Sequence, residues 1–252
     1  FYVLYMLLIT LCLTSFQTAA HGLEGRLDSV VEFMRVLCPA YFLAVAFASG
    51  SVTSMFFYNV ILFLIYLVEL VIIRFLLPAI HIYIMVRVLG NLTDEDFLSE
   101  FAGLIHKVVT WVLRTLLACV VGVNVVQGLL APAIDTLKRS ALTRTAEALP
   151  WVGNAMGGAA EIFFGTAVLI KNGIGMAGAV IAVLICIGPI IQMALMALMY
   201  KLAAALVQPV SDKRITACIS GVSEGYELMV RVIFTVGLLF LLTIAVVAAS
   251  TS

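Results

Sequence analysis

Seven ionisable residues stand within or close to long apolar runs of this sequence: Glu69, Arg74, Arg87, Arg114, Glu161, Lys171 and Lys201. At the centre of a bilayer such a charge costs about 2.5 kcal/mol or more, so it must be paired, reach the interface or face water. Arg87, Arg114 and Lys201 have long stems and are expected to snorkel to the interface. Glu69 and Glu161 cannot reach as far, and Lys171 follows Glu161 by ten residues. Glu69, Glu161 and Lys171 therefore form the candidate internal polar network. On a continuous helix ten residues rise about 15 Å and leave two side chains about 80° apart around the axis. A direct Glu161–Lys171 pair needs a helix break, which Gly165 would permit.

Other reactive residue types are dispersed. His21, His81 and His106 are far apart, and the five cysteines, Cys12, Cys38, Cys119, Cys186 and Cys218, show no CxxC pair. No Ser-His-Asp, HExxH or paired-cysteine arrangement emerges, so no enzyme, catalytic residue, metal site or cofactor is expected. Asn91-Leu92-Thr93 is a formal glycosylation sequon, read here as a helix cap at Thr93.

GIGMAG, from Gly173 to Gly178, fits the GxGxxG dinucleotide pattern. That fingerprint requires a preceding strand in a βαβ unit, and an apolar run surrounds it here, so close helix packing is the better reading. Gly153 with Gly157, and Gly221 with Gly225, stand at GxxxG spacing, which lets helix backbones approach closely. Gly153, Gly157, Gly173, Gly175, Gly178, Pro78 and Pro189 are thus the candidate packing or broken-helix positions.

These residues are carried by an unusually apolar chain. Of 252 residues, 64% are hydrophobic and 11% charged, against roughly 25% charged in soluble domains. Several windows approach the 20 or so apolar residues that cross a membrane, and they are apolar on every face, unlike the alternating strands of a barrel. The fold class is all-α: a polytopic membrane protein of six or seven spans, with re-entrant or broken segments and amphipathic surface helices. Fourteen basic residues balance fourteen acidic ones, which leaves no basic surface for nucleic acid.

Residues 1–20 read as a first span, and HGLEGRLDSVVEFMRVL as a surface helix whose Leu23, Leu27, Val30, Val31, Met34 and Leu37 recur at helical spacing. Ala40 to Ser49 is short for a span and reads as re-entrant. Pro78 and Pro189 interrupt long apolar runs, and Asp135 to Leu149 reads as a second surface helix. Pro39 to Pro78 and Pro150 to Pro189 are both 39 residues apart. This spacing suggests an internal duplication, with repeats at 21–131 and 132–252, of the kind that builds membrane transport folds. The start at Phe1, without Met and inside an apolar run, reads as the remainder of a longer precursor.

In the second half, ALPWVGNAMGGAAEIFFGTAVLIKNGIGMAGAVIAVL and CIGPIIQMALMALMYKLAAALVQPVSD resemble the stage III sporulation protein AE family of endospore-forming bacteria. "LPWVG", "LIKNGIG", "YKLAAALVQP" and the following "SD" match in order and spacing, with "LCPAYF" and "FLLPAI" matching more loosely in the first half. The resemblance implies a multi-pass protein of the mother-cell membrane around the forespore, within a secretion-like channel assembly needed for late forespore development. Implied partners are other proteins of the same operon, including ring-forming subunits and an ATPase, and indirectly a forespore membrane protein. Three roles compete: a channel or export gate, a non-conducting platform that recruits rings, and a stand-alone secondary transporter. Many small-residue faces point to a homo-oligomer embedded in the lipid bilayer.

Overall fold

The computed structural model describes the backbone of residues 2–49, 51–93, 96–146 and 153–250, and the side chains of residue 3 and of 6–45, 59–90, 97–123, 125–126 and 165–245. Its elements are α1 (Tyr2–Ser49), α2 (Ser51–Val68), a π-helix (Glu69–Leu76), α3 (Leu77–Thr93), α4 (Asp96–Ala146), α5 (Gly153–Val207) and α6 (Lys213–Ser250). The fold is all-α. Five helices are long and apolar enough to cross a membrane: Met6–Val45, Asn59–Gly90, Phe97–Val123, Gly165–Val207 and Lys213–Ala245. The six or seven expected spans thus reduce to five among the described residues.

The reduction comes from continuity. The first span, the surface helix and the re-entrant piece of the sequence reading are one helix, α1, with Pro39 inside it. A proline inside a helix costs about 3 kcal/mol, while each large buried apolar side chain contributes about 1.5–3 kcal/mol. Beyond Pro39, the buried Tyr41, Phe42 and Val45 outweigh that cost. The same argument corrects the break expected at Pro189, which lies inside the uninterrupted α5 between the buried Cys186 and Met193. The second surface helix is likewise the end of α4, which runs on to Ala146.

Pro78 is handled differently. The π-helix directly precedes it, and the Leu77 amide donates to the Ile72 carbonyl five residues back. A proline ring clashes with the carbonyl four residues before it and leaves that acceptor without its donor. The wider i→i+5 ring ahead of Pro78 changes which carbonyls must be met, and such π segments recur at functional sites. The run therefore neither breaks nor re-enters, and buried residues continue past it at Leu76, Leu77, Ile80, Tyr83, Ile84 and Val88.

Helix length exceeds membrane thickness. The 48, 51 and 55 residues of α1, α4 and α5 extend roughly 72, 76 and 82 Å. Hydrocarbon about 30 Å thick covers about 40 Å of helix even at the steepest common tilt of about 40°.

The chain divides into two compact units, each drawn from several helices. The first comprises Phe1–Val31, Leu67–Leu117 and Leu184–Gly237. Its centre is aromatic: the Phe16 ring meets Tyr226 edge-on at 5.3 Å and His81 at 5.7 Å, and Tyr200 stacks on Tyr226 at 5.4 Å. The second comprises Glu32–Tyr66, Ala118–Val183 and Leu238–Ser252, and there Tyr41 and Leu37 of α1 pack on α5 at Gly175 and Gly178.

Candidate functional site

The start of α6 carries several bonds of the first unit. The Asp212 carbonyl accepts from the Ile215 and Thr216 amides at 3.1 and 3.2 Å, which places Asp212 at the helix N-cap. Further along, Gly221 and Gly225 present one face. A Cβ on Gly221 would stand 2.9 Å from Arg87 Cγ, and one on Gly225 would overlap Ile84 Cδ1 and come within 3.2 Å of Phe16 Cε2. α3 therefore lies directly on the α6 backbone, as GxxxG spacing allows.

That approach sets the polar chemistry between the glycines and after them. Tyr83 Oη donates to Glu224 Oε2 at 2.6 Å, and Arg87 Nε lies 3.8 Å from the same oxygen. Arg87 Nη1 also donates to Ser99 Oγ of α4 at 3.4 Å. Ser223 Oγ donates to the Ala197 carbonyl of α5 at 2.8 Å. Lys201 Nζ of α5 donates to Glu227 Oε1 at 2.9 Å, and the Tyr226 hydroxyl donates to the Ser15 carbonyl of α1 at 3.3 Å. The first part of α6 thus reaches α1, α3 and α5. A cavity of about 360 Å³ opens beside Glu224, lined by Tyr83, Arg87, Gly103, His106, Lys107 and Glu224. His106 faces the Tyr83 ring at 5.8 Å. Arg87, Lys107 and His106 thus share its lining with one carboxylate, Glu224.

Arg87 and Lys201, expected to snorkel, each also meet a carboxylate, and the Lys201 side chain is 70% exposed. Arg114 is exposed. Glu224 and Glu227 are not among the ionisable residues singled out from the sequence. The signal is the SEGYEL segment, with two carboxylates three residues apart inside an apolar context.

The residues of the expected polar network lie on two helical segments, the π-helix and α5. Glu69 opens the π-helix of the first unit and is half-buried, while Lys171 belongs to α5 in the second unit and is 0% exposed. Each engages a polar or electrostatic partner. Glu161 lies in α5, and its side chain falls outside the described residues. Because α5 does not break at Gly165, Glu161 and Lys171 stand about 15 Å apart along one helix and do not pair directly. Gly175 and Gly178 are close-contact positions, Gly173 faces open space, and the surroundings of Gly153 and Gly157 lie outside the described residues. Pro78 follows the π-helix and Pro189 is buried in α5.

The burial of Lys171 gives a first expected result. Lys171→Leu will lower spore yield more than Arg139→Leu at equal protein levels, because it strips the partner of a wholly buried ammonium. Equal spore yields would remove Lys171 from any functional role.

Five helices fit to cross a membrane, tied by ion pairs and hydroxyl bonds inside their apolar lengths, define an all-α polytopic membrane fold. The chain belongs to the stage III sporulation protein AE family, whose model matches residues 1–251. It is 29% identical over 248 residues to the stage III sporulation protein AE of Bacillus subtilis (strain 168), covering 97% of this chain and 62% of that protein. The chain therefore spans less than two thirds of that relative's length. No solved structure matches it.

Proposed function

We propose that the protein is a channel or export-gate component of the sporulation assembly linking mother cell and forespore, needed for late forespore development. The carrying observation is the polar cavity at Glu224 with its flanking ion pairs, set inside candidate spans. Ionisable groups at such depth face a water-filled path or each other, and they mark conduction or relay sites. Membership of a sporulation family supports the setting, a multi-pass protein of the mother-cell membrane around the forespore. The role is not enzymatic and needs no cofactor, metal or nucleic acid.

The partners proposed are further copies of the chain, ring-forming subunits and an ATPase of the same operon, and indirectly a forespore membrane protein. Length supports the homo-oligomer. The apolar part of α5, Gly165–Val207, covers 43 residues, roughly 65 Å. It exposes Leu169, Met176, Leu184, Leu195, Met199 and Leu206 along its course. Since hydrocarbon covers about 40 Å at most, the remainder needs a protein cover. The same flank favours a second reading, a non-conducting platform whose apolar side recruits partners.

Flux separates the two. Proteoliposomes holding the full-length protein with its partners will leak a small trapped dye, and Glu224→Gln will change the rate at unchanged protein incorporation. A tight vesicle with all partners present would leave the platform reading standing instead.

A further inference from the structure

A second cleft of the first unit, of about 650 Å³, runs along α1 and is closed by α5 and α6. Its wall is a ladder at four-residue steps, Thr10, Thr14, Thr18, Gly22 and Arg26, with Leu7 and Leu11 at one end and Tyr226 and Met196 opposite. The ladder looks hydrophilic in sequence, but its bonding is internal. The Thr10, Thr14 and Thr18 hydroxyls donate to the carbonyls of Met6, Thr10 and Thr14 at 2.7, 2.7 and 2.9 Å. Each hydroxyl is satisfied within α1, so the wall can sit against an apolar occupant without stranding a donor.

The two ends differ in kind. The large exposed apolar residues of α1 at the Leu7 end are Val3, Met6, Leu7 and Leu11. From Thr14 to Ser29 the exposed positions are all polar or glycine. Arg26 stands in that second stretch. Its guanidinium lies over Gly188 of α5, where an added Cβ would be 3.4 Å from Nη1. Among the described residues no carboxylate pairs with it, and the neighbouring Glu24 is engaged by His21 at 3.2 Å. Leu7 to Arg26 spans nineteen residues, about 28 Å, close to the whole hydrocarbon thickness.

We infer that this cleft holds an acyl chain of an anionic phospholipid, with the lipid phosphate on Arg26. A guanidinium with no carboxylate partner among the described residues offers a planar, bidentate fork suited to a phosphate. The cleft volume is that of a ligand site, and its length leaves room along α1 for an acyl chain extending from Arg26 toward the apolar Leu7 end. The inference rests on the reading of the five helices as membrane spans and is independent of conduction.

The test uses the full-length protein purified in mild detergent, with dioleoyl-phosphatidylglycerol, dioleoyl-phosphatidylcholine and glycerol 3-phosphate as probes. Wild-type protein will bind phosphatidylglycerol about tenfold or more tighter than phosphatidylcholine, whose choline cation offsets the phosphate charge that Arg26 meets. Arg26→Gln will remove that preference, Arg26→Lys will keep part of it, and Thr14→Trp, which fills the cleft from an exposed position, will weaken both lipids. Equal affinity for the two lipids in the wild type would overturn the proposal. So would glycerol 3-phosphate binding as tightly as phosphatidylglycerol, which would leave a phosphate site without a lipid. A Thr14→Cys variant forming bismaleimide-linked dimers above the wild-type level would give the cleft to a second copy and overturn it as well. Alkaline-washed membranes separate the two levels: retention without lipid preference sinks the lipid site alone, whereas release from the membrane sinks the spanning reading.

Discussion

Gly225→Leu is expected to leave almost no folded protein, and the reason lies in what surrounds that glycine. Its Cβ would overlap Ile84 and approach the Phe16 ring. Both residues are almost wholly buried, at 0% and 1% exposure, so neither has free space to turn into. Overpacking by one or two methylenes typically costs about 1–3 kcal/mol, which is the range expected for Gly225→Ala. Four heavy atoms on a backbone contact exceed it and consume much of a stability of about 5–15 kcal/mol. Gly122 is the control: nothing lies within 4 Å of the place its Cβ would take, and Gly122→Leu will behave as wild type. Size-exclusion profiles and Tm of fluorescently tagged protein in detergent read the outcome. Ile84→Ala combined with Gly225→Ala will recover part of the loss, because it vacates the space the new methyl needs. If Gly225→Leu ran as a monodisperse peak with the Tm of Gly122→Leu, the close approach of α3 and α6 would be wrong.

The second large effect concerns Glu224. Removing its carboxylate strips Tyr83 of an acceptor at 2.6 Å and Arg87 of its counter-ion at 3.8 Å. Breaking a buried pair costs about 3–5 kcal/mol, but the Arg87 and Glu224 side chains are 33% and 41% exposed. Screening reduces the ion-pair part, so Glu224→Ala is expected to cost roughly 1–3 kcal/mol, most of it from the orphaned tyrosine hydroxyl. Tyr83→Phe will cost about 1 kcal/mol. Arg87→Glu will be the worst single change at this pair, placing two carboxylates together, and Arg87→Glu with Glu224→Arg will regain part of it. Double-mutant analysis of Tm measures the coupling. Additive effects of Arg87→Glu and Glu224→Arg would show that the pair is not an interacting unit.

How much of this is legible in the sequence differs by feature. The all-helical class follows from apolar runs that are long and apolar on every face, and nothing in the structure disturbs it. Continuity is legible too, but only over a longer window than a single span. Buried residues of α1 recur without interruption from Cys12 and Phe16 through Leu23, Leu27, Met34 and Cys38 to Tyr41 and Val45. Pro39 lies on the exposed side, and one lost hydrogen bond does not end a helix anchored on both sides of it. The ion pairs are illegible for another reason. Tyr83 and Glu224 are 141 positions apart, and periodicity within one helix carries no information on which distant helix its polar face meets. The α6 glycines indicate a contact, not its partner.

The π-helix has a consequence for chain length. Val68 and Ile72 are both buried, and steps of 3.6 residues from there would set later seam positions near 76, 79, 83 and 86. The seam instead runs through Leu76 and Leu77, Ile80, Tyr83 and Ile84, and Val88, a lag of about one residue. Residues 69–76 therefore hold one residue more than an α-helix needs between the same two faces. That surplus is the helix's tolerance for a deletion: a residue lost there, with the bonds reverting to i→i+4, leaves Tyr83, Ile84 and Arg87 turned toward α6. The same loss between 77 and 83 swings Arg87 about 100° away from Glu224, so the reading frame of this contact is kept by a segment that does not touch it.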